Sequence, residues 1–363
     1  MKSVVCFGEI MARLQPPGHL RFRQVMPGTL ELTFAGAEAN AAVTISALGG
    51  EARFVTALPR HEIAEACLAN LRAARVRVED VVRSDTGRFG LYFVEAGANQ
   101  RGGNVLYDRE GSSFCLAGPD AYDWPRLLRE ASWLHTTGIA AAVSCAAAEA
   151  TVAAVAAAQA AGVPVSFDIN HRRKLWRWNP AQVPDALAQR TLARILPAVD
   201  LLIGNPADLA QAVGVEAPPL GAEGSEEGRR ALVALARAVA KKFPRLQRIA
   251  LSLRGGVSAT HQRWGAMLYM VADNSAWFAP VADGEFEPYE VARVVDRLGT
   301  GDALAGALLF ALETPELATP ETAVGFAVAA SCLAHSVHGD FNYVTRAEVE
   351  ALQGGGNGGG VSR

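Results

Sequence analysis

The chain predicts an α/β protein, a doubly wound and mostly parallel sheet between helices with a small β-sheet lid. Three observations carry this expectation. Short runs of β-branched and aromatic residues alternate with helical stretches along most of the 363 residues. Several of those runs are apolar on both parities, as a strand covered on two faces must be. Two regions then break the alternation with strands that no helix separates.

Taken in order, VVCF at Val4 to Phe7 is the first apolar run. TLELTF from Thr29 is a lid strand, and FAGAEANAAVTISALGG, Phe34 to Gly50, reads as an amphipathic helix ending at a glycine pair. RFVTAL from Arg53 returns to the main sheet. RFGLYFVE from Arg88 and NVLYDRE from Asn104 are two more lid strands, joined by the polar hairpin loop AGANQRGG. WLHTTG from Trp133, VPVSFDIN from Val163, DLLIGN from Asp200, RIALSL from Arg248 and VARVV before Asp296 continue the main sheet. Alanine dominates Gly138 to Ala161, which favours helix. The expectation is one domain over residues 1–363, with lid strands within about 12–35 and 86–112 and a mobile glycine-rich tail over 354–363. APPLGAEGSEEG, Ala217 to Gly228, reads as a surface loop, and no internal repeat is evident.

Composition narrows the class. Half of the residues are apolar, enough for a large core, and the net charge of -3 with no basic run argues against a nucleic-acid surface. Five scattered cysteines without C-x-x-C spacing indicate neither a disulfide framework nor a zinc site, and fit a reducing cytoplasm. The N-terminus lacks an apolar run long enough for a signal peptide, and no stretch is long enough to span a bilayer.

The chemistry concentrates in DRLGTGDALAGALLFAL, Asp296 to Leu312. Gly299, Thr300 and Gly301 stand where a loop enters a long apolar helix, and a helix N-terminus offers unpaired N–H donors and the positive end of the dipole. Such a point binds anions. Asp302 beside them can take a proton from an attacking hydroxyl while the amides hold charge on a transferring phosphoryl group. The plainer reading makes Asp302 an ordinary N-cap. In FDINHRR, strand geometry puts Asp168, Asn170 and Arg172 on one parity at the end where parallel sheets bind ligands, with His171 facing the other way as a structural residue. Arg172 suits an anion. Gly36 and Ala37 permit close backbone approach, with Glu38 and Asn40 available to sugar hydroxyls. YDRE places Tyr107 and Arg109 on one face of a lid strand.

Together CFGEIM, FAGAEAN, GLYFVE, YDREGSS, FDINHR, GTGDALAG and HGDFN resemble the ribokinase-like carbohydrate kinases, most of all the 2-keto-3-deoxygluconate kinases, over nearly the whole chain. The resemblance implies ATP-dependent phosphorylation of a sugar acid to its 6-phosphate, with Mg2+ and, as a further option, a monovalent cation. It implies Asp302 as base and Gly299 to Gly301 as the anion hole. Gly36, Ala37, Glu38, Ala39 and Asn40 would form the sugar-binding turn. Tyr92, Tyr107, Arg109 and Arg172 would hold the sugar acid, with Asp340 near its hydroxyls. Asn170, Arg172, Asn205, Ser252, Arg254 and Gly255 would lie along ATP, and Asn205 and Asp208 would reach the metal through water. It further implies a homo-oligomer paired through the lids, whose strand edges need protection.

Three departures stand out against that pattern. Ala35 precedes Gly36 where paired glycines are common, Asn205 to Asp208 reads N-x-x-D in place of N-x-x-E, and LRGGVSATHQRW after RIALSL lacks the usual glycine spacing. The alternatives are a kinase for a neutral sugar of the fructose or ribose type, and a non-catalytic sugar-binding protein. A dinucleotide-binding oxidoreductase is disfavoured because Gly8, Glu9 and Ile10 follow the first strand without G-x-G-x-x-G.

Overall fold

Every side chain of the first strand, Ser3–Phe7, is buried, and successive residues serve opposite faces. Val5 and Phe7 enter one hydrophobic core, Val4 and Cys6 the other. A strand buried on both faces needs helices on both. The computed structural model describes residues 2–216 and 224–355, and there the strand lies inside a nine-stranded sheet. Six adjacent strands, this one included, run parallel in the order Ala52–Val55, Ser3–Phe7, Ala131–Thr137, Val165–Asp168, Leu201–Gly204 and Arg248–Ser258. His261–Met270, Ser275–Ala279 and Tyr289–Val291 close the far side antiparallel.

Helices Cys145–Ala160, Pro184–Ile195, Pro206–Val213 and Glu226–Lys242 cover one face. Helices Ala37–Ala47, Glu62–Ala73, Thr300–Glu313 and Pro320–Ala334 cover the other. Chain order reverses at the first strand, which has Ala52–Val55 on one side and Ala131–Thr137 on the other. A crevice opens at the carboxyl ends of the strands at such a reversal, and that is where ligands bind.

A separate four-stranded sheet has the order Glu31–Ala35, Met11–Gln15, Gly90–Glu95 and Asn104–Asp108. The three expected lid strands are present. The fourth, Met11–Gln15, is not among the runs read as lid strands, although it lies almost wholly within the expected lid range of about 12–35. At the tip of the hairpin loop, the Asn99 carbonyl accepts a hydrogen bond from the Ala259 N–H at 2.7 Å, so the lid meets the turn of the long main-sheet hairpin.

Several expectations are corrected. Helix Ala37–Ala47 is not amphipathic: Ala37 through Ser46 are all buried, because it is wedged between the sheet and helix Thr300–Glu313. LRGGVSATHQRW is no glycine turn, since strand Arg248–Ser258 continues through it and pairs with His261–Met270. VARVV contributes only Val291 to strand Tyr289–Val291. Extension at FDINHRR ends at Asp168, and Asn170 has a positive φ of 34°, so the shared parity of Asp168, Asn170 and Arg172 is lost. Residues 217–223 of the expected surface loop lie outside the described residues, and Glu226 to Gly228 open helix Glu226–Lys242, capped by Ser225. Of the expected mobile tail, residues 356–363 also lie outside them. All five cysteines are free.

Helices Ala37–Ala47 and Thr300–Glu313 touch through Gly306, where an added Cβ would stand 2.6 Å from the Ala41 carbonyl oxygen and 2.9 Å from Thr44 Cβ. Alanine normally favours a helix over glycine by roughly 0.5–1 kcal/mol, but overpacking costs about 1–3 kcal/mol. Gly306→Ala is therefore expected to lower the urea midpoint. A raised midpoint would show that the two helices are not in backbone contact.

Candidate active site

Helix Thr300–Glu313 begins at Gly299, whose φ of 80° is left-handed and whose side receives the Asp340 carbonyl: an added Cβ would lie 2.2 Å from that oxygen. Only glycine satisfies both demands. No side chain caps this helix, nor helices Ala37–Ala47 and Pro184–Ile195, whereas Ser112, Asp123, Thr137, Ser144, Asn205, Ser225, Thr319 and Thr345 cap theirs. Its first N–H groups point at the cleft with the dipole behind them. Gly301 has open space beside it.

Asp302 is the third residue of the helix and so is not its N-cap. Its Oδ2 accepts a hydrogen bond from Asn40 Nδ2 at 2.7 Å, and its Oδ1 a long one from Asn170 Nδ2 at 3.5 Å. Asn40 Oδ1 in turn accepts from the Gly36 N–H at 3.2 Å, which joins the sugar-side turn to the carboxylate. Burial raises the Asp302 pKa to about 6; the Asn40 hydrogen bond and Arg172 oppose the rise and Asp340 adds to it.

Two connected recesses meet at this carboxylate. A cleft of about 860 Å3 is lined by Asp168, Asn170, Arg172, Asn205, Asp208, Ser252, Arg254 and Gly299 to Asp302. A recess of about 80 Å3 is lined by Glu9, Gly36, Ala37, Asn40, Tyr92, Tyr107, Arg109, Arg172, Asp302 and Asp340. Asn170, Arg172, Gly299 and Asp302 border both. The large space suits a nucleotide and the small one a sugar-sized group.

The structure thus gathers most of the expected residues, with four revisions. Ala39 is fully buried away from the recess. Glu38 points beneath it, accepting from Thr137 Oγ1 at 2.7 Å, and burial pushes its pKa up to about 7. Gly255 lies in the hairpin opposite Arg263, outside the cleft lining. Arg109 is buried against the equally buried Glu9, Nε to Oε2 at 2.7 Å, so its charge is already answered. Arg172, by contrast, is exposed at the border and has no carboxylate partner among the described residues. His171 is buried, as a structural residue should be.

Two of the sequence departures find physical explanations. Ala35 is an ordinary strand residue paired with Met11, while Gly36 alone makes the close approach, since a Cβ there would lie 2.0 Å from the Glu9 carbonyl oxygen. In N-x-x-D, Asn205 Oδ1 accepts from the Asp208 N–H at 2.9 Å as a helix cap, which takes one of the two lone pairs of that oxygen. Asp208 lines the cleft together with the buried Asp168, whose pKa is raised to about 8 by burial and by the Asp302 charge. Two carboxylates crowded beside a third form a donor set that fits a hard cation. Among the described residues no three acidic, His or Cys groups are close enough to hold an ion directly, so such an ion would keep waters, as Mg2+ does.

Sequence reasoning missed Glu9, Arg13, Asp296 and Arg297, and it placed Asp168 at the ligand-binding strand end without giving it a role. Arg13, on lid strand Met11–Gln15, is 1% exposed. Its Nη2 lies 2.5 Å from Asp296 Oδ2 and its Nη1 2.5 Å from Asp340 Oδ1. Tyr92 donates to the same Asp340 oxygen at 2.9 Å. Glu9 was within reach of the strand-end argument, because it sits two residues past the first strand. A buried arginine in a five-residue strand carries no such signal.

Residues 1–243 match the family model for pfkB family carbohydrate kinases. A Haloferax volcanii protein named 2-dehydro-3-deoxygalactonokinase is 32% identical over 98% of both chains. A Thermotoga maritima crystal structure of 2-dehydro-3-deoxygluconokinase superposes with a TM-score of 0.87 at 33% identity, covering 98% of this chain and 100% of that one. A Dickeya dadantii 2-dehydro-3-deoxygluconokinase is 28% identical over 48% of this chain and 56% of its own. The chain belongs to the pfkB family of carbohydrate kinases.

Proposed function

We propose that this kinase phosphorylates a 2-keto-3-deoxy sugar acid, of the gluconate or galactonate type, at its primary 6-hydroxyl with ATP. One observation carries the reading: Asp302 and the uncapped helix N-terminus stand where a nucleotide-sized cleft meets a small recess, with the unpaired Arg172 at the border. The names of the relatives point to the same substrate class.

The acceptor hydroxyl would lie against Asp302, already oriented by Asn40. A primary alcohol is far less acidic than a carboxylic acid, so Asp302 aligns the oxygen and takes its proton late, as the bond to phosphorus forms. The N–H groups at Gly299 to Gly301 face the transferring phosphoryl oxygens and need no reorganisation. Asp168 and Asp208 would hold the waters of Mg2+, which when bound neutralises charge on the phosphates. Arg172 is the grip for the substrate carboxylate, because Glu9 has already neutralised Arg109. The lid sheet covers the recess and excludes water from the donor. Among the described residues no helix is long and apolar enough to cross a membrane, and unpaired cysteines with ATP as co-substrate favour the cytoplasm.

Asp302→Asn is expected to preserve ADP binding and lower kcat about 10²- to 10⁴-fold; wild-type turnover would remove Asp302 from the chemistry. In the wild type, kcat/KM should fall as pH drops through about 6, since the carboxylate must be ionised and burial raises its pKa. An acid limb near pH 4, the ordinary carboxylate range, would contradict that burial.

Substrate choice is tested with a panel of sugars and sugar acids in a coupled ATP-turnover assay. The charge-assisted contact to Arg172 should be worth about 1.5–3 kcal/mol, roughly ten- to a hundred-fold in apparent affinity. Arg172→Ala should erase most of the preference for the acid over the matching neutral sugar. Fructose turning over as well as the acid in the wild type would assign the enzyme to neutral sugars.

The lid also supports a homodimer. Its outer strands leave unpaired edges, and Leu32 and Leu106 are 48% and 56% exposed on it. Light scattering at micromolar concentration should give twice the monomer mass, and a monomer alone would refute lid pairing.

A further inference from the structure

The loop that presents the anion hole is not held by its own helix. Asp296 Oδ1 accepts from the N–H groups of Arg297 at 2.8 Å and Leu298 at 3.2 Å, and its Oδ2 accepts from the Gly339 N–H at 3.3 Å. One carboxylate therefore shapes both the approach to Gly299 and the turn carrying Asp340. That carboxylate is buried, and the cation answering it is Arg13, from a different sheet. The same guanidinium reaches Asp340 with its other terminal nitrogen, and the Asp340 carbonyl abuts Gly299. Gln15, two residues along the strand, accepts a further hydrogen bond from Arg13 Nη2.

We propose that Arg13 is a positioning residue for phosphoryl transfer: from the lid it fixes the anion-hole loop through Asp296 and the sugar-side carboxylate Asp340 in one grip. This rests on the reading of Asp302 and Gly299 to Gly301 as the transfer site. The geometry asks for a fork. A guanidinium can bond two carboxylates from two nitrogens held in one plane, whereas a lysine ammonium is a single point that cannot span both. The consequence is that lid and anion hole form one body. Arg13 itself lines neither the cleft nor the recess, so it acts through the residues it orients.

The test compares Arg13→Lys and Asp296→Asn with the wild type. Asparagine at 296 keeps an oxygen for the Arg297 and Leu298 N–H groups but loses the charge that holds Arg13. It serves as the second probe should Arg13→Lys fail to fold. Either variant is expected to lower kcat about 10²-fold, the cost of a misplacement of about 1 Å, with KM for ATP nearly unchanged. Hydrogen exchange should accelerate together over residues 297–301 and over strand Gly90–Glu95, a readout that needs no sugar substrate. Wild-type kcat with wild-type exchange in a folded variant would overturn the proposal, as would faster exchange confined to the lid. Failure of the wild type to phosphorylate any sugar would defeat the functional reading separately, leaving the exchange result to decide the role of Arg13.

Discussion

An uncapped helix N-terminus is the constraint around which this molecule is arranged. Unpaired N–H groups are costly when shut away from water and useless when another side chain takes them, so the start of helix Thr300–Glu313 must stay open toward a ligand while everything behind it is held. Gly299 turns the chain in the left-handed region with a carbonyl pressed against it. Ser331 Oγ donates to the Thr300 carbonyl at 2.6 Å from the neighbouring helix. Gly306 lets the same helix lie directly on Ala37–Ala47, which carries Asn40 to Asp302. The two recesses thus share one closely packed helix pair.

Charge explains the rest of the arrangement. Glu9, Glu38, Asp168, Asp296, Asp302 and Asp340 crowd a small volume, and so many carboxylates cannot all stay ionised in a buried setting without cations. Arg109 answers Glu9 and Arg13 answers Asp296 and Asp340. Burial pushes the Asp302 pKa up to about 6 and, with the Asp302 charge, that of Asp168 up to about 8. Among the described residues Arg172, at the border of the two recesses, has no carboxylate partner, and neither do Arg254 and Arg297 in the larger cleft. A sugar acid and a magnesium nucleotide would complete the balance from outside, one anion for Arg172 and one cation for the acidic wall.

The outer architecture was legible because burial on two faces writes itself into strand composition. Runs such as VVCF and DLLIG admit little other than a covered strand, and the alternation with helices implied parallel order. GTGD was legible for a related reason: a glycine pair before a long apolar helix leaves few local alternatives. Less was readable where a segment's surroundings change its meaning. Helix Ala37–Ala47 looked amphipathic because small residues sit easily on either side of a surface, yet it is covered all round. Asn205, expected to reach a metal through water, also caps helix Pro206–Val213, a role the sequence reading left out.

By itself, the sequence determined the layered sheet, the lid strands and the helix start at GTGD, since each depends on residues near one another in the chain or on a periodicity they share. Tertiary structure decided which charges remain free. Arg109 and Glu9 are 100 residues apart and Arg13 and Asp340 are 327 apart, and no local pattern tells that one guanidinium is neutralised while Arg172 is not. Coulomb interaction depends on distance through space and on the dielectric around the pair, and both quantities exist only once the chain has folded.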